Sequence, residues 1–174
     1  MALVVEDGTG KSDAEAYIST ADTSTYATSV GNSTWGGLST SVQEGHLRIG
    51  AMYLDIEYGL RWHGYRTNET QALDHPRTGI VDLDGYCIDS DEITNALKYA
   101  NAEAAFRSAD GDTLMGDITI DASSGLIKKK IKIGPIEIDK EYGSQQSIKK
   151  RYPKIDAILQ NAGLIMESGR LVRG

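Results

Sequence analysis

The chain has 174 residues, 40% apolar and 25% charged, which is enough for one hydrophobic core and excludes collagen-like, low-complexity and wholly disordered classes. The net charge of -7 is uneven: residues 1–125 hold 7 Lys+Arg against 20 Asp+Glu, and residues 126–174 hold 11 against 5. An acidic body with a basic tail suggests self-association or a charged partner surface and argues against a simple nucleic-acid coat, since the larger part repels phosphate.

No apolar run approaches the roughly 18 residues of a membrane helix, so no membrane partner is expected. The opening Met-Ala-Leu-Val-Val-Glu-Asp has no basic region and only a short apolar run, unlike a signal peptide. Cys87 is the one cysteine and cannot form an internal disulfide. The expectation is an intracellular product without a disulfide framework.

In chain order, Leu3 to Val5 predicts a short strand, followed by a turn at Gly8, Gly10 and Asp13. Ser19 or Thr20 caps a helix running to about Val30, with Gly31 as its stop. Thr40 with Gln43, or Ser41 with Glu44, spells a capping box for the next helix. Leu47, Ala51, Leu54 and Tyr58 form its apolar face, and Ile49, Tyr53 and Ile56 widen the stripe. Gly45 and Gly50 weaken this helix, which therefore needs tertiary packing or a close neighbouring backbone.

Residues 61–79 lack a clean period and read as an ordered loop anchored by Trp62, Tyr65 and Leu73. Asp84-Gly85 marks a hairpin turn between Val81 and Ile88. Ser90 or Asp91 caps a helix whose buried face is Ile93, Leu97, Ala100 and Ala104, an Ala-rich face suited to close helix packing. Residues 110–125 read as a loop. Residues 126–142 switch to period two. Pro153 opens a last short helix with Ile155, Ile158 and Leu159 on one side, and Gly163 ends it.

Several constellations invite chemistry. Gly8-Thr-Gly-Lys-Ser12 looks like a phosphate loop, but the first glycine such a loop requires falls on Val5, so a plain turn is the better reading. His46, His63 and His75 have no metal-ligand spacing. Asp82, Asp84, Asp89, Asp91 and Glu92 lack the spacing of a calcium loop and suit turns and caps. No nucleophile set is present. Neither a catalytic residue, a metal site nor a cofactor is expected, and the chain does not read as an enzyme.

The lysine run changes meaning with its neighbours. A turn at Gly134-Pro135 puts Ile133 against Ile136 and Ile131 against Ile138. The other face then pairs Lys132 with Glu137, Lys130 with Asp139 and Lys128 with Glu141, a ladder of opposite charges. Gly-Pro fits a II′-like turn, while a kink in one long strand is the other reading. Lys149-Lys150-Arg151-Tyr152-Pro153-Lys154 remains as the basic cluster, either a solvated linker or a docking segment for acidic protein or phosphate.

These pieces resemble a phage family. The residues that carry the resemblance are Leu3-Val-Val-Glu-Asp-Gly-Thr-Gly with Ala16-Tyr17-Ile-Ser19, Trp35, Gly64-Tyr65-Arg66, Gln71-Ala-Leu-Asp-His-Pro-Arg77 and Asp89-Ser-Asp-Glu-Ile93. Ile133-Gly-Pro-Ile-Glu-Ile138 and Tyr152-Pro-Lys-Ile-Asp156 complete the set. The chain is similar to proteins labelled DnaT-like single-stranded-DNA-binding proteins, which resemble in organisation the head–tail adaptors (connectors) of tailed phages. Two departures stand out: His75 occupies a position expected to be aromatic, and the tail after Gly163 is longer than expected.

The resemblance implies a mainly α, α+β fold: a small helical bundle with a projecting β-hairpin and a C-terminal arm. Residues 1–125 would be the acidic helical body, 126–142 the hairpin and 143–174 a docking arm, within one structural domain overall; the alternative for the arm is that it folds back onto its own acidic body and completes the core. It implies a structural virion protein at the head–tail interface, made in the host cytoplasm. There it forms a ring of about twelve subunits beneath the portal. Its partners would be further copies of itself, the portal, a downstream tail or nozzle protein, and double-stranded DNA passing without specific binding. The expected portal-docking residues are Lys149, Lys150, Arg151, Tyr152, Lys154, Leu164, Ile165, Met166, Arg170, Leu171 and Arg173. The alternative is a single-stranded-DNA-binding replication accessory protein, which would need exposed aromatics interleaved with Lys and Arg.

Overall fold

The computed structural model describes residues 2–115, 128–133, 136–141 and 151–166. Its elements are α1 (Thr20–Ser29), α2 (Ser33–Gly36), α3 (Thr40–Tyr58), β1 (Tyr65–Arg66), β2 (Arg77–Thr78), α4 (Asn95–Ala109), β3 (Lys128–Ile133), β4 (Ile136–Glu141) and α5 (Pro153–Asn161). The fold is α+β and mostly helical, with a small antiparallel hairpin, as the sequence predicts. The chain divides into two compact units: Met1–Leu114 with Tyr152–Gly174, and Met115–Arg151.

In the larger unit α4 is the central element. Leu97, Ala100, Asn101, Ala102, Glu103, Ala104, Ala105 and Phe106 are all buried, so the helix is enclosed on nearly every side. It packs against α1, α3 and α5. Small side chains let backbones approach: a Cβ at Gly50 of α3 would lie 2.9 Å from the Asn101 carbonyl oxygen and 3.1 Å from the Ala105 nitrogen. The Asn101 amide completes this seam. Its nitrogen donates to the Leu47 carbonyl at 3.1 Å, and its oxygen accepts from the Tyr17 N–H at 3.0 Å.

The helix starts follow the sequence unevenly. Ser19 caps α1, accepting from the Asp22 N–H at 3.1 Å. Neither predicted capping box forms at α3, whose N-cap Ser39 makes no side-chain capping bond. Gln43 is buried instead and donates to the Trp35 carbonyl at 2.9 Å, satisfying α2 rather than its own helix. Helix α4 starts later than Ser90 or Asp91 imply. A turn closed by the Glu92 N–H on the Asp89 carbonyl takes up those acids, and Thr94 is the cap. Leu3 to Val5 makes a single parallel bridge, Val5 to Ala16, rather than a strand. In the 61–79 loop Trp62 and Leu73 are buried anchors, while Tyr65 is 79% exposed and anchors nothing.

The C-terminal segment departs most from expectation. Ile155, Leu159, Leu164 and Ile165 are core residues, and Tyr152 is buried beside them. The His63 N–H donates to the Leu164 carbonyl at 2.9 Å and the Met166 N–H to the Arg61 carbonyl at 2.7 Å. Gly163 turns with φ +69°, where a Cβ would collide with Asp82. The body therefore does not end at 125, and residues 152–166 are not a separate arm. The physical reason is that an apolar surface of the same chain is always at hand, so burial in cis needs no partner.

In the smaller unit β3 and β4 pair antiparallel, with Lys128 opposite Glu141, Lys130 opposite Asp139 and Lys132 opposite Glu137. Ile131 pairs with Ile138 and Ile133 with Ile136, so the strands form a hairpin and not one kinked strand. The predicted turn at Gly134-Pro135 and the loop beyond Met115 lie outside the described residues.

Candidate interaction surfaces

The predicted docking residues scatter. Lys149, Lys150, Arg170, Leu171 and Arg173 lie outside the described residues. Arg151 and Met166 are exposed, whereas Tyr152, Leu164 and Ile165 are buried, which removes these three from any docking face. Lys154 is half exposed and its ammonium pairs with Glu103, a buried carboxylate of α4 that also accepts from the Tyr26 hydroxyl at 2.9 Å. That lysine neutralises an internal acid.

The Gly8-Thr-Gly-Lys-Ser12 turn does build an anion cradle. Its occupant is the chain's own carboxylate. The N–H groups of Gly8 and Gly10 both donate to Glu6 Oε1 at 2.9 Å, and that of Lys11 donates to Glu6 Oε2 at 2.8 Å. Glu6 is only 2% exposed. Successive backbone donors converge as they would on a phosphate, but the site is filled from within. Gly8 suits this turn twice over: its φ is +105°, and the Asp91 carbonyl oxygen lies where a Cβ would stand.

A second polar cluster ties the N-terminal segment to α3 and the 72–78 loop. The Tyr17 hydroxyl donates to Asp55 Oδ1 and accepts from the His75 N–H at 3.3 Å. Asp55 Oδ2 accepts from the Asp74 N–H at 3.2 Å, and Trp62 Nε1 donates to Asp74 Oδ2 at 3.1 Å. The His75 ring stands edge-on to Trp62 and Tyr17, and its Nε2 is buried with no hydrogen-bond partner among the described residues. Burial pushes the Asp55 carboxyl up to about 7 and the His75 ring down to about 3. Burial also holds the Tyr17 hydroxyl well above its ordinary value. Sequence reading missed this cluster; its visible trace was His75 between Asp74 and Pro76, at a position expected to be aromatic.

The comparisons with known proteins bear on what such a body does. The family described as "Putative DnaT-like ssDNA binding protein" matches residues 1–174. The chain belongs to that family. No curated protein and no solved structure matches it. The family's description agrees with single-stranded DNA binding, the alternative function, rather than with a head–tail adaptor.

A single-strand groove in this family member would need accessible cations and aromatic platforms. The cations of the larger unit are largely spent on internal partners. Arg48 pairs with Glu15 at 2.8 Å, and this bond holds the Glu15 carboxyl below its ordinary range. Arg61 pairs with Asp156 at 3.5 Å and lies over the Tyr58 ring. Arg66 donates to the Gln71 carbonyl, and Arg77 to the carbonyls of His63 and Gly64 at 2.8 and 2.7 Å. Trp35 and Trp62 are buried. Tyr86 is exposed, but it sits within residues 82–92, which carry five Asp or Glu and no Lys or Arg.

Proposed function

We propose that the chain is a structural head–tail adaptor of a tailed-phage virion, assembling as a ring beneath the portal. The carrying observation is the electrostatics of the body: Arg48, Arg61, Arg66 and Arg77 are held by internal acids and carbonyls, its tryptophans are buried, and residues 82–92 carry five acids and no Lys or Arg. Such a surface lets passing DNA slide without holding it. The resemblance in the Gly64-Tyr65-Arg66 and Gln71 to Arg77 segments supports the same reading, because those segments build the scaffold: Arg77 clamps Gly64, and Gln71 Nε2 bonds the Leu73 and Pro76 carbonyls at 2.8 and 3.1 Å. The ring would contact the portal above and a tail or nozzle protein below.

The second reading is the one the family's description favours, a binder of single-stranded DNA. Fluorescence anisotropy of a labelled oligonucleotide titrated with the full chain at about 0.15 M salt separates the two. The adaptor reading expects no saturable binding into the micromolar range. It also expects the chain to co-sediment with the cognate portal and to appear as a ring in electron micrographs. Tight, salt-sensitive oligonucleotide binding without portal attachment overturns it in favour of the second reading.

A further inference from the structure

Residues 81–92 form a braced loop with an apolar tip. Val81 bridges Cys87, and the Asp82 N–H donates to the Tyr86 carbonyl at 2.9 Å. Asp82 Oδ1 accepts from the N–H groups of Asp84 at 3.0 Å and Tyr86 at 2.8 Å. The Thr67 hydroxyl donates to the Ser90 carbonyl at 2.9 Å, and Gly163 lets the turn after α5 lie against Asp82. The loop is thus held at several points, yet its tip leaves Leu83 71% and Tyr86 73% exposed. Asp84, Asp89, Asp91 and Glu92 share the loop; all are exposed, and none pairs with a cation among the described residues. Beside the tip lies a cleft of about 340 Å³ whose walls include Asp82, Asp84 and Glu92 together with Leu83, Ile88 and Ala162. A preformed loop loses little freedom on contact, so an apolar tip beside an open cleft marks a docking surface.

We propose that this loop and cleft receive the basic run Lys149-Lys150-Arg151 of a neighbouring copy of the chain. Charge selects the occupant. Residues 82–92 hold five acids and no Lys or Arg, while residues 142–155 hold four Lys or Arg and no acid. Other cations have partners: Lys128, Lys130 and Lys132 stand opposite acids, and Lys154 pairs with Glu103. Arg151 is exposed and makes no ion pair among the described residues. The cleft suits a long basic side chain, with its methylene stem along Leu83, Ile88 and Ala162 and its charged head among the carboxylates. Nucleic acid is repelled by the same five acids. In sequence the run leads into α5 at Pro153, whereas the cleft is walled by Ala162, past that helix's other end. The helix rises about 12 Å between them. Complementary patches at opposite ends of one helix give a head-to-tail contact, the kind that closes rings. The inference rests on the ring-forming reading and names the contact that builds the ring.

Sedimentation of the full chain over a concentration series measures self-association of the parent and its variants. Asp84→Lys with Glu92→Lys reverses the loop, and Lys149→Glu with Lys150→Glu reverses the run. Asp13→Lys with Asp110→Lys makes the loop variant's charge change at exposed acids outside the loop. Either reversal should weaken association at least about tenfold, and the control should leave it unchanged. Leu83→Ser with Tyr86→Ser, which alters no charge, should weaken it too. An equimolar mixture of the two reversed chains should regain the parent's association, because each meets a complementary patch on the other. The control mixed with the run-reversed chain should not. Raising salt from about 0.05 to 0.5 M should also weaken the parent's association. Self-association unaffected by both reversals overturns the docking while leaving the ring reading intact. Loss in both without recovery on mixing means that the two patches do not meet, and overturns it as well. An equal loss in the control traces the effect to net charge and has the same consequence. Loss of portal attachment without loss of self-association assigns the loop to the portal instead. A parent protein that stays monomeric at every concentration removes both the docking and the ring.

Discussion

His75 and Asp55 share one buried cluster and tilt stability in opposite directions with pH. Burial lowers the His75 ring to about 3 from an ordinary 6.5. The unfolded chain therefore takes up a proton below about pH 6.5 that the folded chain refuses, and stability falls as pH falls. Burial raises Asp55 to about 7 from 3.8. Between those values the folded chain keeps a proton the unfolded chain has lost, and stability falls as pH rises. Inside its window each group contributes a slope of up to about 1.4 kcal/mol per pH unit. From about pH 4 to 6.5 the two slopes oppose and largely cancel. His75→Phe keeps the edge-on packing against Trp62 and Tyr17 and removes the proton site with its unpartnered Nε2. Measured against wild type, this variant should gain about 2–3 kcal/mol more at pH 4.5 than at pH 7. Asp55→Asn should show the reverse, gaining about 3 kcal/mol more at pH 7 than at pH 4.5, on top of a pH-independent loss from its rearranged bonds to Tyr17 and Asp74. Urea unfolding followed by circular dichroism at pH 4.5, 5.5 and 7 gives these differences directly. If wild type and His75→Phe differ by the same amount at all three, the ring is not held neutral by burial and the reasoning fails.

Glu6→Ala leaves the N–H groups of Gly8, Gly10 and Lys11 without their acceptor and should cost about 2–4 kcal/mol in urea unfolding. Added sulfate should recover part of that loss by filling the emptied cradle. Gly50→Ala drives a Cβ to 2.7 Å from Asn101 Nδ2, so it should destabilise by about 1–3 kcal/mol. Gly45→Ala in the same helix meets nothing within 4 Å and should stabilise by about 1 kcal/mol. In the hairpin, a double-mutant cycle on Lys130 and Asp139, which are cross-strand partners, should show a coupling of a few tenths of a kcal/mol. Ending the chain at Arg151 takes Ile155, Leu159, Leu164 and Ile165 from the core. The cooperative melt of the body should disappear; a truncated chain that still melts sharply contradicts the packing described for α5.

What the sequence disclosed is what local chemistry decides. Ser19, Gly31, Pro153 and Gly163 punctuate helices through backbone rules that need no tertiary knowledge, and the structure uses all four. The hairpin register was legible because three opposite charges and two isoleucine pairs must align together. The capping boxes were not legible, because Gln43 is worth more in the core as a donor to Trp35 than at its own helix end. The anion cradle was half legible. Gly8 to Ser12 announced a turn rich in backbone donors, but only the fold shows that Glu6, two residues before Gly8, swings in as the anion. The buried cluster around Asp55 joins residues 17, 55, 62, 74 and 75. Nothing in their spacing brings these groups together, because the partners come from three separate segments.

The C-terminal segment and α3 teach opposite lessons about apolar surplus. Leu164 and Ile165 looked unclaimed because residues after a terminating glycine have no period to show which surface they meet. The body claimed them through Trp62 and the His63 N–H. On α3 the expectation that Ile49 and Ile56 widen the stripe of Leu47, Ala51, Leu54 and Tyr58 does not hold: they lie on the opposite side of the helix and stay exposed. A helix lying on one core can bury an arc on one side only, so apolar residues opposite that arc are not spare core. Tyr53 marks the boundary, since it is drawn under Tyr152 and buried. Ile49, Met52 and Ile56, beyond that edge, remain wet. A second apolar arc opposite the core-facing one is thus a signature of a second surface, and on this chain it singles out the outer face of α3.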